Sequence, residues 1–311
     1  MRIATFNVQN LRLRHSQDGD ILSGARDRDE PVVESAAAYA VDTIDRRLTA
    51  EILRRADADI VALQEVFDQE TLDYFHERFL LPCGAAAYPH RICLPGNDGR
   101  GFDVALMSRT EPDEVANHAA LTVAEVGLDV LPGRDPGEPV FRRDCLSARF
   151  GSLTVFVCHF KAPYPDPDIA WFVRRQEALA VRWLIERRFA DPRGASWMVL
   201  GDLNEPAEEP RGERAVAPLL TDFAVDLTQR VAPERRWSYH MEETGIYSRP
   251  DALLASPALA SAFPDAKPFY LREGLGHDTP RFSGERLAGV GYRRPHASDH
   301  AALAIDLEGL A

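Results

Sequence analysis

Residues 197–205, Trp197-Met198-Val199-Leu200-Gly201-Asp202-Leu203-Asn204-Glu205, decide how the chain is read. An apolar run with the length of a buried strand stops at a glycine, and an acid and an amide follow, two positions apart. Alternate residues of extended chain point the same way, so Asp202 and Asn204 are expected to project together from a strand end into one pocket. Taken alone, the stretch reads equally well as a strand ending in a polar turn.

The same pattern recurs outward from it. Arg2–Val8 reads as a strand ending near Asn7, Ile60–Glu65 as a buried strand ending in a carboxylate, and Leu153–Cys158 as one leading into His159. A further strand opens at Arg249-Pro250-Asp251, and a closing strand, 301–307, follows Ser298-Asp299-His300. Apolar spacing of three and four through Ala37, Val41, Ile44, Leu48 and Ile52 predicts a helix over 33–56. Shorter helices are expected over 71–80 and from 215 towards 226, and a long one over 168–189. The long one places Phe172, Gln176, Leu179, Trp183 and Ile185 near one face and Arg174, Arg175, Arg182, Arg187 and Arg188 on a solvated one. Strand pairs are expected at 90–94 with 102–107 and at 140–150 with 152–160. Trp237-Ser238-Tyr239 offers either aromatic packing or a stacking wall for a ring. Strands alternating with helices and hairpins indicate a mixed α/β sandwich, and the absence of a repeat or dividing linker indicates one domain over 1–311.

Three loops interrupt this order. Residues 12–31 hold almost no large apolar side chain and read as a mobile loop, a solvated one more readily than a lid. Residues 95–101 carry Asn97, Asp98 and Arg100, and 272–298 carry Arg272, Arg281, Arg286, Arg293 and Arg294.

Composition narrows the function. The chain has 311 residues, 45% hydrophobic and 27% charged, as in an ordinary soluble globular protein. Its net charge of −13 repels nucleic acid unless basic residues gather on one face. Cys83, Cys93, Cys145 and Cys158 contain no CxxC pair and imply no disulfide framework. No apolar run has membrane-spanning length and no targeting segment is evident, so a cytoplasmic protein is expected. There is no glycine-rich phosphate loop and no GxSxG elbow.

Asn7, Glu65, His159, Asp202, Asn204, Asp251, Asp299 and His300 all stand at strand ends, where a sheet protein forms its cleft. Four carboxylates in one cleft repel one another unless a cation lies between them. A hard divalent ion, Mg²⁺ or Mn²⁺, resolves this more simply than Zn²⁺. Histidines beside such carboxylates suit phosphoester hydrolysis, in which a water is oriented and charge on the phosphoryl oxygens compensated.

Thr5-Phe6-Asn7-Val8, Leu63-Gln64-Glu65-Val66, Cys158-His159-Phe160, Gly201-Asp202-Leu203-Asn204, Arg249-Pro250-Asp251 and Ser298-Asp299-His300 together resemble the endonuclease/exonuclease/phosphatase superfamily, to which deoxyribonuclease-I-like nucleases belong. The resemblance implies a four-layer α/β (α+β) sandwich of two packed mixed β-sheets flanked by helices. It implies Glu65 as the central metal ligand, with Asn7 and Asp299 close to the ion. Asp202 and Asn204 would position the attacking water and a phosphate oxygen. His300, oriented by Asp251, would be base or phosphate donor, leaving open whether it or Asp202 takes the water's proton, and His159 a phosphate contact or leaving-group acid. Arg143 stands where relatives often carry an arginine, although a surface ion pair accounts for it nearly as well. Relatives often place an acid where this chain has Gln9, which weakens the case for a second metal.

The expected function is therefore a divalent-metal-dependent phosphodiesterase or phosphatase acting on a phosphorylated small molecule or lipid headgroup. A DNA or RNA nuclease of the same fold, with the 272–294 loop as its contact, is the alternative, and an inactive binding module the third reading. No feature specifies an oligomeric state, and the three loops that would set specificity follow no motif.

Overall fold

Strands that are apolar on both faces need a covering layer on each side, and the chain supplies it. The computed structural model describes residues 1–15, 19–27, 35–131, 133–209 and 211–310. In chain order its principal elements are β1 (Arg2–Leu11), α1 (Ala36–Ala56), β2 (Ile60–Val66), β3 (His90–Cys93), β4 (Asp103–Ser108), β5 (Glu114–Ala116), β6 (Cys145–Phe150) and β7 (Leu153–His159). Then follow α2 (Pro167–Arg188), β8 (Ser196–Asp202), β9 (Val225–Asp226), β10 (Asp251–Ala255), β11 (Phe269–Leu271) and β12 (Ala302–Asp306). They form two six-stranded mixed sheets, ordered β11-β12-β1-β2-β4-β3 and β9-β10-β8-β7-β6-β5, with β1–β2 and β7–β8 as the parallel pairs.

Side chains alternate strictly despite the unbroken apolar sequence. Ile3, Ile60, Ala62, Val155, Val157, Met198, Leu200 and Leu253 fill the space between the sheets. Their neighbours Ala4, Phe6, Val61 and Leu63 face α1. Phe156, Cys158, Trp197 and Val199 face the layer that contains α2. The four-layer sandwich expected from the sequence is what forms.

Three register features carry inner-face positions into the site. Asp202 pairs with His159 on β7 and with Asp251 on β10, so the three form one row that continues the Val157–Leu200–Leu253 face. In β2 the pairing shifts by one residue between Gln64 and Val66, and Glu65 is the extra residue, with φ of 66°. Without that bulge, alternation would point Glu65 with Leu63 into the outer core. A second irregularity, between Asn7 and Leu11, puts Gln9 and Asn10 at φ of 47° and 55°. Both are held by the buried guanidinium of Arg46, which donates to the carbonyls of Val8, Gln9, Asn10 and Ser23 at 2.6, 2.7, 3.1 and 2.5 Å.

Several sequence expectations are corrected. The described part of 12–31 is no unpacked loop: Leu13–Arg14 pairs with Ile21–Leu22, and Leu13 and Leu22 join the outer core. Its residues 16–18 and 28–31 lie outside the described residues, as do 33 and 34 of the first predicted helix. The buried face of α1 includes Asp42, Asp45, Arg46 and Thr49, because Arg294 pairs with both aspartates. The buried face of α2 runs through Val173, Arg174, Glu177, Val181 and Ile185, so Arg174 is not on a solvated face. Beyond 215 the helix is only Ala217–Leu220. The chain then turns at Asp222, φ 55°, and adds β9 to the edge of β10.

Gly201 fixes the approach of β8 to β7. Its φ is +135°, and a Cβ there would lie 2.0 Å from the Cys158 carbonyl oxygen. Gly201→Ala is expected to destabilise the protein by about 3 kcal/mol or more, read from the urea midpoint. An unchanged midpoint would mean that the two strands do not need this close approach.

Candidate active site

The described site side chains meet in a cleft of about 470 Å³ at the ends of the central strands. Asn7, Glu65, Arg143, His159, Asp202, Asn204, Asp299 and His300 line it, and Asp251 lies behind His300. All nine positions named from sequence are thus brought together. The sequence reading missed Asp27 and the apolar rim of Phe102, Pro163, Tyr164, Met241 and Ile246, which follow no motif, whereas Arg100, read from sequence as either a substrate contact or part of a plain turn, lines the cleft. It also missed Ser238, whose hydroxyl donates to Asp251 Oδ2 at 2.5 Å and extends a Ser238–Asp251–His300 chain. Of the two uses expected of Trp237-Ser238-Tyr239, aromatic packing is met by Trp237 against Tyr247, while Tyr239 lines the cleft 4.9 Å from the His300 ring.

The polar floor is tightly bonded. His300 Nδ1 lies 2.8 Å from Asp251 Oδ2, which orients the ring and leaves Nε2 3.8 Å from Asp202 Oδ2. His159 Nε2 is 3.7 Å from the same oxygen. Asn204, at φ 51°, donates its backbone N–H to Asp202 Oδ1 at 2.8 Å and its amide to the Phe160 carbonyl at 3.0 Å. Asn7 Nδ2 donates to Asp202 Oδ2 at 3.1 Å and to Glu65 Oε1 at 3.4 Å, and Asn10 N–H donates to Glu65 Oε2 at 2.8 Å. Gln9 bridges backbone instead of presenting an acid: it receives the Asp299 N–H at 3.1 Å. Arg143 makes no surface ion pair. Buried, it donates to the Phe160 carbonyl at 3.0 Å and stands 3.1 Å from Asp98, which also binds Arg100. Asn97 is structural, donating to the Ala119 and Phe141 carbonyls. No residue of 272–294 lines the cleft: Arg272, Arg286 and Arg294 are turned onto carbonyls or aspartates of the fold.

Electrostatics separates the two imidazoles. Burial alone would lower the His300 pKa, but Asp251, Asp299 and Asp202 raise it well above the ordinary 6.5. Burial lowers the His159 pKa well below that value, and Arg143, His300 and Arg100 lower it further. The surroundings therefore favour the charged form of His300 and the neutral form of His159. Burial raises Asp202, with Asp251 adding and His300 opposing. Burial likewise raises Asp299 to about 7, with His300 opposing and Glu65 and Asp27 adding.

The donor set suits a hard cation. Glu65, Asp202 and Asp299 have no arginine or lysine ion pair among the described residues; the oxygens of Glu65 and Asp202 are held by amides and backbone N–H groups, and Asp299 Oδ1 accepts from the Ser298 hydroxyl. Asp202, Asp251 and His300 each bring a ligand atom within 4.8 Å of the others. The Asp251–His300 hydrogen bond already uses one donor pair of that trio.

Comparison with known proteins is consistent with this arrangement. The model of the Endonuclease/Exonuclease/phosphatase family matches residues 4–300. No curated protein matches the sequence. Among solved structures, an endonuclease/exonuclease/phosphatase family protein from Leptotrichia buccalis C-1013-b is 13% identical with a TM-score of 0.58, covering 98% of both chains. The Bacteroides thetaiotaomicron mannosyl-6-phosphatase Bt3783 is 12% identical with a TM-score of 0.55, again covering 98% of both. Truncated Caenorhabditis elegans TDP2 is 14% identical with a TM-score of 0.56, covering 98% of this chain and 96% of its own. At these identities the likeness is one of fold.

The charge assignment is directly testable. A raised native pKa means that the His300–Asp251 pair contributes its full stability below about pH 6.5 and loses it as pH climbs through the raised value. NMR titration of the metal-free protein should show His300 still protonated at pH 7.5, as the raised pKa requires, and Asp251→Asn should bring its midpoint down towards 6.5. An unmoved midpoint in the variant would reject Asp251 as the source.

Proposed function

The chain belongs to the endonuclease/exonuclease/phosphatase family, and we propose that it is a divalent-metal-dependent phosphoester hydrolase acting on a small or lipid-derived phosphate. The observation that carries this reading is the convergence of His159 and His300 on one buried Asp202 oxygen, at 3.7 and 3.8 Å, on the floor of a cleft that Glu65 and Asp299 also line.

Glu65, with Asn7 and Asp299, would hold Mg²⁺ or Mn²⁺, which when bound supplies charge compensation for phosphoryl oxygens. The chain's own groups divide the remaining work. Asn204 fixes Asp202 Oδ1, so that Oδ2 is the oxygen that faces both imidazoles and takes the proton of the attacking water. Burial makes Asp202 a stronger base than an exposed aspartate. His300, held as a cation by Asp251, donates from Nε2 to a phosphoryl oxygen and is not the base. Neutral His159 is a hydrogen-bond donor or acceptor to the phosphate and has little capacity as a leaving-group acid. Arg143 and Arg100 place positive charge on the same side of the cleft.

The cleft also bears on substrate class. Its polar floor sits below an apolar rim, with Tyr164 on one side and Met241 and Ile246 on the other, all exposed. Such a lining suits one phosphate carrying a ring or an acyl group. Of the arginines in 272–294 that would grip duplex DNA, Arg272, Arg286 and Arg294 are turned onto carbonyls or aspartates of the fold and Arg293 is paired with Glu242, which leaves Arg281 as the exposed one.

A phosphoester panel with Mg²⁺ or Mn²⁺, covering nucleic acids, phosphoinositides, sphingomyelin and nucleotides, tests this. Turnover should vanish with EDTA and fall about 10²–10⁴-fold in Glu65→Ala and His300→Ala. Plasmid cutting at low salt that matches the rate on a chromogenic bis-ester would replace the small-phosphate reading with the nuclease one. No turnover on any ester would favour a binding module.

A further inference from the structure

Beside the catalytic cleft, across a wall formed by Glu205, Pro206, Ala207 and Ser248, lies a second pocket of about 310 Å³. Arg214, Arg236, Arg249 and Arg281 line it together with Trp237 and Tyr247. Four guanidinium groups around one small pocket are unexpected in a chain of net charge −13.

The charges are not cancelled locally. Arg236 is held by neutral groups only: Gln229 Oε1 and the carbonyls of Gln229 and Val231. Arg281 stacks over Tyr247, 4.8 Å from the ring centre, and Arg214 donates no side-chain hydrogen bond; neither has an ion pair among the described residues. Arg249 alone is paired, to Asp226 at 2.6 Å, and is fixed further by Thr228. The one carboxylate in the wall, Glu205, already accepts the backbone N–H groups of Ala215 and Val216 at 3.2 and 2.9 Å. Burial lowers the Arg214 pKa; Glu205 opposes this, Arg249 lowers it again and Asp226 opposes. Arg236 and Arg249 are pre-set by the fold, and a planar fork of donors matches phosphate oxygens bidentately. Trp237 and Tyr247, packed edge to face at 4.8 Å, give the pocket a rigid back wall.

We propose that this pocket is an anion subsite that binds a phosphate group other than the one hydrolysed, next to the catalytic cleft. The adjoining cleft's role rests on the hydrolase reading above, but the binding of phosphate by these arginines does not. The class of substrate that fits both pockets carries two phosphate groups on one scaffold.

The test begins without turnover. Inorganic pyrophosphate titrated calorimetrically into the EDTA-treated full chain should bind, and Arg214→Met with Arg281→Met should weaken it at least tenfold. Arg187→Met, a surface arginine stacked on Trp183, should bind as the wild type does. Because Arg281 is exposed, Arg281→Met alone supplies a variant whose folding is not at issue if the pair unfolds. Equal affinity in wild type and the Arg214 and Arg281 variants, or equal losses in the Arg187 control, would overturn the proposal. Two further arms separate the sources. A KM for a sugar bisphosphate that rises in the variants, with kcat retained, marks a substrate phosphate. Pyrophosphate that alters turnover of bis(4-nitrophenyl) phosphate in the wild type but not in the variants marks a free phosphate ligand. A protein that hydrolyses no ester yet binds pyrophosphate through these arginines would fail the hydrolase reading and leave this site standing.

Discussion

The site depends on one register. Asp202 stands opposite His159 across a parallel pairing and opposite Asp251 across an antiparallel one, and all three lie on the face that packs against the other sheet. A slip of one residue in β8 would turn Asp202 outward and bring Gly201 to the inner face. The apolar alternation of Met198 and Leu200 below Asp202 therefore does more than stabilise the sandwich. It sets which side of the strand end the carboxylate occupies, and the buried Thr5–Gln64 hydrogen bond of 3.3 Å lies beside it on the opposing sheet.

Regular strands alone do not deliver Glu65 or the loop that carries Asp299. Both need backbone in the left-handed region or tied back from a distance, and buried charge does the tying. Arg46 holds the carbonyls around Gln9 and Asn10, and the Asn10 N–H then fixes Glu65. Asp45 accepts the backbone N–H groups of Ala25 and His296 and pairs with Arg294, which anchors the chain three residues before Asp299. Burying that many charges is costly unless each is hydrogen-bonded, and here carbonyls and N–H groups satisfy them.

This explains what was legible in the sequence. Strand ends that read as apolar run, then acid or amide, were found correctly, because both the period of two and the end of burial are local signals. Asn7, Glu65, His159, Asp202, Asn204, Asp251, Asp299 and His300 were all reached that way and then gathered by the family's motif order. The buried faces of α1 and α2 were misread because their polar members, Asp42, Asp45, Arg46, Arg174 and Glu177, are paid for by partners distant in the chain, which periodicity does not register. Glu177, for instance, accepts the N–H groups of Arg142 and Lys161. Ser238 was named beside two aromatics with no reason to connect it to Asp251, since the contact crosses thirteen residues and a separate hairpin.

The same distinction between local pattern and distant partner governs the proposed chemistry. Two histidines at strand ends look alike in sequence, yet His300 is surrounded by three carboxylates, whereas His159 has two arginines and the other imidazole around it besides one carboxylate, Asp202. Their opposite charge states follow from those neighbours. With a cation already on His300, the water's proton has no acceptor there, and neutral His159 has too low a proton affinity to compete with a buried carboxylate. In the proposed mechanism Asp202, 3.7 Å from one ring and 3.8 Å from the other, is the group that accepts it. In that mechanism the choice between Asp202 and His300, open at the level of sequence, turns on what Asp251 does to its neighbour.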